Sequence, residues 1–224
     1  LKSLTPVSPA AAYDLWSANY DADLNPIPVL EERAARALSP DPAGRRLLDA
    51  GCGTGRRLPP GGFGVGIDVS GGMLLAARRR GLSRVIRAGV ERLPFFSGVF
   101  DLVWCRLVLG HVASLEPAVA ELARVLSPGG TLLVTDFHPG LVAAGLRRTF
   151  VFEGERFEVE THPHSEARLD EAAGSASLRP LRRMEMEVAE GDLDIFQSIG
   201  RPDLHSEFLG RAIVLAQTFE RDPS

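Results

Sequence analysis

Cysteine is scarce in this chain of 224 residues: there are two, Cys52 and Cys105, far apart and in no CxxC spacing. That excludes a disulfide framework or a thiolate metal knuckle and predicts free thiols in a reducing compartment. No apolar run approaches the roughly 18 residues that a membrane-spanning helix needs. The N-terminus lacks the apolar core of a secretory signal, so a cytoplasmic location is expected. A basic excess is missing too: 25 Lys and Arg against 29 Asp and Glu leave a net charge of −4, which argues against a general nucleic-acid surface and allows only a local basic patch. Internal repeats and low-complexity linkers are absent. Residue 1 is Leu rather than Met, which predicts a chain trimmed or incomplete at its start. What is present, 45% hydrophobic and 24% charged residues, fits one globular domain long enough to bury a sizeable core.

Tyr13, Trp16 and Tyr20 recur at helical steps behind Ser8-Pro9, a cap and first helical position, and predict a helix over 9–20. A second helix is expected over 29–38, with Val29, Leu30, Ala34, Ala37 and Leu38 inward. Strands are expected over 46–50, 63–68, 85–88, 99–104 and 131–135. Helices over 70–79, capped by Ser70 and closed by Gly81, and over 116–126 alternate with them, which implies a parallel, layered α/β sheet. Further on, 149–152 and 156–160 read as a hairpin around Glu153-Gly154-Glu155. A short helix follows over 166–173, and strands over 181–188 and 212–219 end the chain.

Leu47-Leu48-Asp49-Ala50-Gly51-Cys52-Gly53-Thr54-Gly55 organises this pattern. A buried strand ends in an acid and a tight turn with glycines at alternate positions, where bare backbone can approach a ligand. A dinucleotide fingerprint is disfavoured. The position three after Gly53 is Arg56, and Pro59-Pro60-Gly61-Gly62 allows at most about one turn of the helix whose N-terminus would hold a pyrophosphate. An acid two residues ahead of the first glycine suits a ligand with a cationic amine and no phosphates.

Residues 47–55 resemble the first motif of the class I methyltransferases that use S-adenosylmethionine. Gly66-Ile67-Asp68-Val69-Ser70 with Met73-Leu74 resembles their second motif. Glu91-Arg92-Leu93-Pro94-Phe95, then Phe100-Asp101-Leu102-Val103 through His111-Val112, then 124–130 follow in the family's order. The resemblance implies a Rossmann-like mixed α/β sheet, mostly parallel, with helices on both faces and an antiparallel last strand. It further implies an N-terminal helical cap over 1–40, a cofactor-binding core over 45–136, a substrate-side insertion over 149–178 and C-terminal strands over 180–219. The small-molecule branch related to quinone-biosynthesis enzymes is the nearest in pattern. The expected cofactor is S-adenosyl-L-methionine and the expected partner a small-molecule acceptor, with no nucleic acid and no membrane; a homodimer is left open.

By the resemblance, Asp68 accepts both ribose hydroxyls, while Gly51, Cys52 and Gly53 bring backbone to the methionine and adenosine parts. Asp49 orients the ammonium group, directly or through water, or instead bonds the glycine loop. Val69 and Met73 flank the adenine, although Met73 is equally a core residue. The family's acid for the adenine amino group falls on Gly89, so backbone of Gly89 and Val90 or the side chain of Glu91 is expected to substitute. Cys105 and Leu107 would lie near the sulfonium, with Arg106 either holding a carboxylate or exposed. His111 and His138 are candidate general bases against the plainer reading of loop histidines. Tyr13, Trp16 and Tyr20 either form an aromatic lid or pack as helix residues. His162 and His164 lack a third ligand, so no metal is expected. The acceptor pocket is expected from the N-terminal helix, the loop after His111 and the hairpin at 149–160, and the curtailed helix calls for cover by 29–38 or by a partner. No catalytic residue is assigned. A module that keeps the pocket without catalysis is the alternative, and a nicotinamide-dependent reductase is opposed by the glycine spacing.

Overall fold

The computed structural model describes residues 4, 6–23, 25–59 and 63–223. Strands β2 (Leu47–Ala50), β3 (Val65–Asp68), β4 (Val85–Arg87), β5 (Phe100–Arg106), β6 (Leu126–Phe137), β9 (Leu178–Glu187) and β10 (Ala212–Arg221) form one sheet in the order β4-β3-β2-β5-β6-β10-β9. The first five are parallel, and β10 lies antiparallel between β6 and β9. The expected mixed sheet with an antiparallel last strand is what forms. Alternate side chains go to opposite faces. Leu48, Ala50, Val103, Leu132 and Val134 pack under α4 (Leu115–Val125) and α6 (Glu166–Ser175). Leu47, Leu102, Trp104 and Leu133 pack under α2 (Pro26–Leu38) and α3 (Gly71–Arg79).

The helix at 26–38 starts three residues earlier than periodicity places it, because Asn25 caps it by accepting Ile27 N–H and Pro26 takes the first position. Its inward face is Leu30, Glu31, Ala34, Ala35 and Leu38, whereas Val29 and Ala37 are exposed. The expected stripe is therefore rotated, since arginines from two other segments reach Glu31 and let a charge face inward. Helix α1 (Pro9–Trp16) is shorter than expected, and turns continue to residue 22. Strand β6 is longer, running through Ser127-Pro128-Gly129-Gly130 into the core.

After the glycine turn, residues 51–59 contain turns and no helix; Pro60, Gly61 and Gly62 lie outside the described residues. Leu58, 6% exposed, fills part of that face instead. Gly64 and Gly66 make this fit possible. A Cβ on Gly64 would sit 2.9 Å from Leu58 Cδ2, and one on Gly66 2.6 Å from Cys52 Sγ and 3.1 Å from Leu58 Cδ1. The glycines that weaken this stretch as a strand are therefore the space into which the shortened connection packs.

A second sheet joins β1 (Pro6–Val7) in parallel to β8 (Glu155–Val159), which pairs antiparallel with β7 (Thr149–Phe152). It packs its Phe150 and Val159 against Ala12 and Trp16 of α1. The hairpin and the N-terminal segment thus support one another. Helix α6, within the same expected insertion, packs on α4 at the far side of the sheet. Three short helices, α5 (Pro139–Ala143), α7 (Leu193–Ser198) and α8 (Pro202–Phe208), lie in stretches left unassigned by periodicity. Gly64→Ala is expected to lower stability by about 1–3 kcal/mol through overpacking. Leu58→Ala in the same chain should make the two losses less than additive in chemical denaturation.

Candidate functional site

The strands β2, β3, β5 and β6 end at one edge of the sheet, and the winding reverses at β2, between its neighbours β3 and β5. Open α/β sheets bind ligands at that reversal. A cavity of about 550 Å³ opens there. Gly51, Cys52, Gly53, Asp68, Val69, Met73, Val90, Glu91 and Leu107 line it. Gly51 and Gly53 have φ of +87° and +54°, the left-handed region glycine adopts without strain. A Cβ on Gly51 would collide with Val108 Cγ2 at 2.2 Å, while one on Gly53 would meet nothing nearer than Met73 Sδ at 4.0 Å. The turn at Gly53 therefore leaves bare backbone beside open space.

Asp68, at the end of β3, fixes that turn. One carboxylate oxygen accepts Gly53 N–H and the other Ser70 N–H, both at 2.8 Å. Ser70 in turn caps α3 by accepting Met73 N–H. Each Asp68 oxygen keeps lone-pair capacity toward the cavity. Burial raises the pKa of this carboxyl, although the two N–H donors work against the shift.

Asp49, two residues before the turn, is fully buried and is not part of the cavity wall. Neither of its oxygens has a hydrogen-bond partner among the described residues. Burial raises its pKa to about 6, against the attraction of Arg57 and Arg106. It does not hold the glycine loop; Asp68 and the carbonyl of Ile67, which accepts Gly51 and Cys52 N–H, do that. Beside it, fully buried Glu31 accepts Arg106 Nε and Nη2 at 2.7 and 2.8 Å, Arg57 Nη2 at 3.0 Å and Thr135 Oγ1 at 2.7 Å. Burial pushes Glu31 toward protonation, but Arg57, Arg106 and Thr135 more than offset it and the net pKa is lowered. Arg106 is thus a buried partner of Glu31 and Glu32, and its guanidinium is already paired on the cavity wall.

The cavity wall also carries a hydrogen-bonded polar cluster around His111. His111 lies in a 3-10 turn, Leu109–His111, held by Gly110 N–H donating to Asp136 Oδ2 at 2.6 Å. Its Nδ1 is 3.0 Å from the Glu160 carbonyl, which only accepts, so Nδ1 carries the proton. Nε2 is then a lone pair, 2.9 Å from both Tyr13 OH and Arg148 Nη1. Burial, with Arg148 adding to it, drives the imidazole pKa down to about 4. Burial and the nearby Tyr20 push the Tyr13 phenol upward. Arg148 also donates to the Leu107 carbonyl and pairs with Asp136. Leu107, which lines the cavity, has φ +61°, a strained conformation for leucine.

Tyr13 stacks on Trp16 with ring centroids 5.8 Å apart, and Tyr20 meets both edge-on. All three rings line the cavity, and Trp16 also stacks on Phe150. The segment is latched down: Asp14 Oδ1 accepts Ser70 Oγ and Gly72 N–H, and Asp21 accepts from Thr54 and Arg80. From the hairpin only Thr149 reaches the cavity; Leu141, Leu146, Phe196, Leu204, Phe208 and Ile213 supply an apolar wall that sequence reading missed. Leu204 and Phe208 at i and i+4 behind Pro202 are the signal that was there to be read.

Cys105, expected beside the ligand, is instead fully buried in the core, because β5 turns it to the α4 face. Gly89 is not in the wall, yet the Glu91 carboxylate lies 2.8 Å from where a Gly89 Cβ would be. The absent side chain at 89 is the space Glu91 occupies. His138 is outside the cavity and accepts Gly140 N–H on Nδ1. His138, Glu166 and Glu185 bring ligand atoms within 4.8 Å of one another. That same Nδ1 bond puts the neutral ring's proton on Nε2, which faces Glu185 at 3.6 Å, so the nitrogen is a donor rather than a metal ligand. His164 Nε2 is bound to the Val112 carbonyl and His162 N–H to that of Gly110, structural uses of both residues.

Residues 48–134 match the family model described as a methyltransferase domain. The malonyl-acyl-carrier-protein O-methyltransferase of Salmonella typhimurium is 31% identical over 181 residues, 77% of this chain and 68% of that protein. The demethylmenaquinone methyltransferase of Thermus thermophilus is 38% identical over 58% of this chain and 63% of its own length. The chain spans about half the length of other curated relatives it matches. In fold it is similar to an S-adenosylmethionine-dependent methyltransferase from Mesorhizobium loti, with a TM-score of 0.70 and 23% identity over 88% of this chain and all of that one.

Asp49→Asn tests the unpartnered carboxyl. Its pKa is raised in the fold, so its proton stabilises the folded state at low pH and that contribution is lost as pH rises from about 4 to 6. The variant is expected to be more stable than the parent above pH 6, by up to about 3 kcal/mol, and to match it near pH 4 in urea unfolding. A variant less stable at pH 8 would show that the carboxylate has a partner in solution.

Proposed function

Because the chain belongs to the class I S-adenosylmethionine-dependent methyltransferases, we propose that it transfers the methyl group of S-adenosyl-L-methionine to a small-molecule acceptor held in the same cavity. The observation that carries this reading is Asp68, clamped by Gly53 and Ser70 N–H yet facing the cavity with lone pairs to spare. A cis-diol donating to a fixed carboxylate suits that arrangement. Unpartnered Asp49 adds a buried negative group behind Gly51, matched to a ligand ammonium through an intervening water. We assign Gly51, Cys52 and Gly53 to backbone contact, Val69 and Met73 to the faces of the adenine, and the Glu91 carboxylate with the backbone of Val90 to its edge, Gly89 being the space into which Glu91 packs. Leu107 lies toward the sulfonium. The cofactor supplies an activated methyl group; the chain aligns the acceptor and excludes water, for which the Tyr13, Trp16 and Tyr20 rings are placed.

The regions 1–40, 45–136, 149–178 and 180–219 act in this proposal as one domain, the first closing over the second. No helix among the described residues is long and apolar enough to cross a membrane. Two buried free cysteines support a cytoplasmic setting.

Calorimetric titration with S-adenosylmethionine and, separately, NADH tests the reading. Binding of the former is expected, and Asp68→Ala should weaken it about 10–100-fold, the cost of removing hydrogen bonds to a charged group. NADH binding without a response to S-adenosylmethionine would overturn the assignment. Labelled methyl transfer to no small-molecule extract, with binding intact, would favour a non-catalytic module.

A further inference from the structure

The geometry points to a carboxylate-binding site at Arg56, on the wall of the same cavity. This deepens the methyltransferase reading and rests on it.

Five arginines line the cavity: Arg56, Arg57, Arg106, Arg147 and Arg148. Four of them are already answered by acids. Arg57 and Arg106 converge on Glu31, with Glu32 taking a further bond from Arg106. Arg148 pairs with Asp136, and Arg147 Nε lies 3.4 Å from Glu158. Arg56 differs. Its guanidinium carbon sits 5.7 Å from the centroid of the Tyr20 ring, and among the described residues no carboxylate pairs with it. An aromatic face attracts a guanidinium without accepting its N–H groups as a carboxylate does, so the donor fork stays available. The acid next to that ring, Asp21, is committed elsewhere: it accepts Thr54 Oγ1 at 2.8 Å and Arg80 Nη2 at 2.7 Å.

The curtailed connection after the glycine turn puts Arg56 in this position. Gly55 has φ +71°, and a Cβ on it would meet Leu82 Cδ1 at 2.1 Å, so the chain turns tightly against Leu82. Leu58 N–H closes back on the Gly55 carbonyl at 3.1 Å. Arg57 then reaches Glu31 and Leu58 is buried in the core. Arg56 is left exposed beside Tyr20, with its backbone fixed on both sides.

The charges around the turn select the ligand group. Buried, unpartnered Asp49 precedes the bare backbone of the turn and Arg56 follows it. A ligand end with both an ammonium and a carboxylate, such as the amino-acid part of S-adenosylmethionine, is answered in both signs. The planar fork of Arg56 matches a carboxylate with two parallel bonds. An acceptor that carries a carboxylate is a second source of the same group, because cofactor and acceptor share the cavity.

The test uses the full chain, titrated calorimetrically with S-adenosylhomocysteine and with decarboxylated S-adenosylhomocysteine, which lacks only the carboxylate. The parent is expected to bind the first about 5–10-fold more tightly, the worth of one charged contact at an exposed site. Arg56→Met keeps an apolar stem beside Tyr20 and should erase that preference. Its affinity for the decarboxylated ligand should match the parent's, which separates a lost carboxylate contact from misfolding. Arg56→Lys keeps the charge without the fork and should retain part of the preference.

The acceptor source is read on protein saturated with S-adenosylhomocysteine and titrated with naphthoate and naphthol. A loss of naphthoate affinity of about 5–10-fold in Arg56→Met, with naphthol affinity and the cofactor preference unchanged, would assign the site to an acceptor carboxylate. Arg56→Met with the parent's cofactor preference and the parent's naphthoate affinity would overturn the proposal. So would a parent that neither prefers S-adenosylhomocysteine nor binds naphthoate. Failure of both cofactor products to bind the parent would instead sink the methyltransferase reading, and this inference with it.

Discussion

The carboxylate of Asp68 is the interaction on which the site depends. It receives Gly53 and Ser70 N–H from two segments that sequence alone would leave independent, the turn after β2 and the cap of α3. It acts with the Ile67 carbonyl, which accepts Gly51 and Cys52 N–H, to hold the turn and its left-handed glycines, since the connection that follows has no helix among the described residues to anchor it. Charge-assisted hydrogen bonds of this kind are among the stronger ones available to a loop. They also leave the acid facing the cavity, so one group both shapes the site and offers it a binding function.

A second buried carboxylate, Glu31, compensates for the shortened connection on the helix side. It gathers Arg57 from just past the glycine turn, Arg106 from the end of β5 and Thr135 from β6 onto α2. This degree of pairing keeps the buried Glu31 ionised, and removal of one member would leave the others uncompensated. The network fixes the position of α2 against the sheet and commits Arg106 to structure. Leu58, packed into the space left by Gly64 and Gly66, completes the cover of that face.

Much of the core was legible because its signals are local. Strands ending in acids, Ser70 at a helix cap and glycines at alternate positions are short-range facts, and Asp68, Gly51 and Gly53 lie at the cavity as their spacing implied. Cys105 was misplaced because a strand residue's face depends on register, and β5 turns it toward α4. The rotated face of α2 was misread because an inward glutamate is predictable only when its arginine partners are known. The apolar wall from α7 and α8 was missed because those helices are about two turns or less, too short for periodicity to stand out.

The sequence by itself determined the order of strands and turns, the glycine conformations and the acid at the end of β3, since each follows from backbone chemistry within a few residues. Tertiary structure decided the His111 corner. Tyr13 and His111 are 98 residues apart, and Arg148 is brought in from beyond β6. Only this convergence, with the Glu160 carbonyl on the other side of the ring, assigns the imidazole proton to Nδ1 and gives the Nε2 lone pair to Tyr13 OH and Arg148 Nη1. A tautomer is set by the partners on both sides of a ring, and no stretch of sequence contains both.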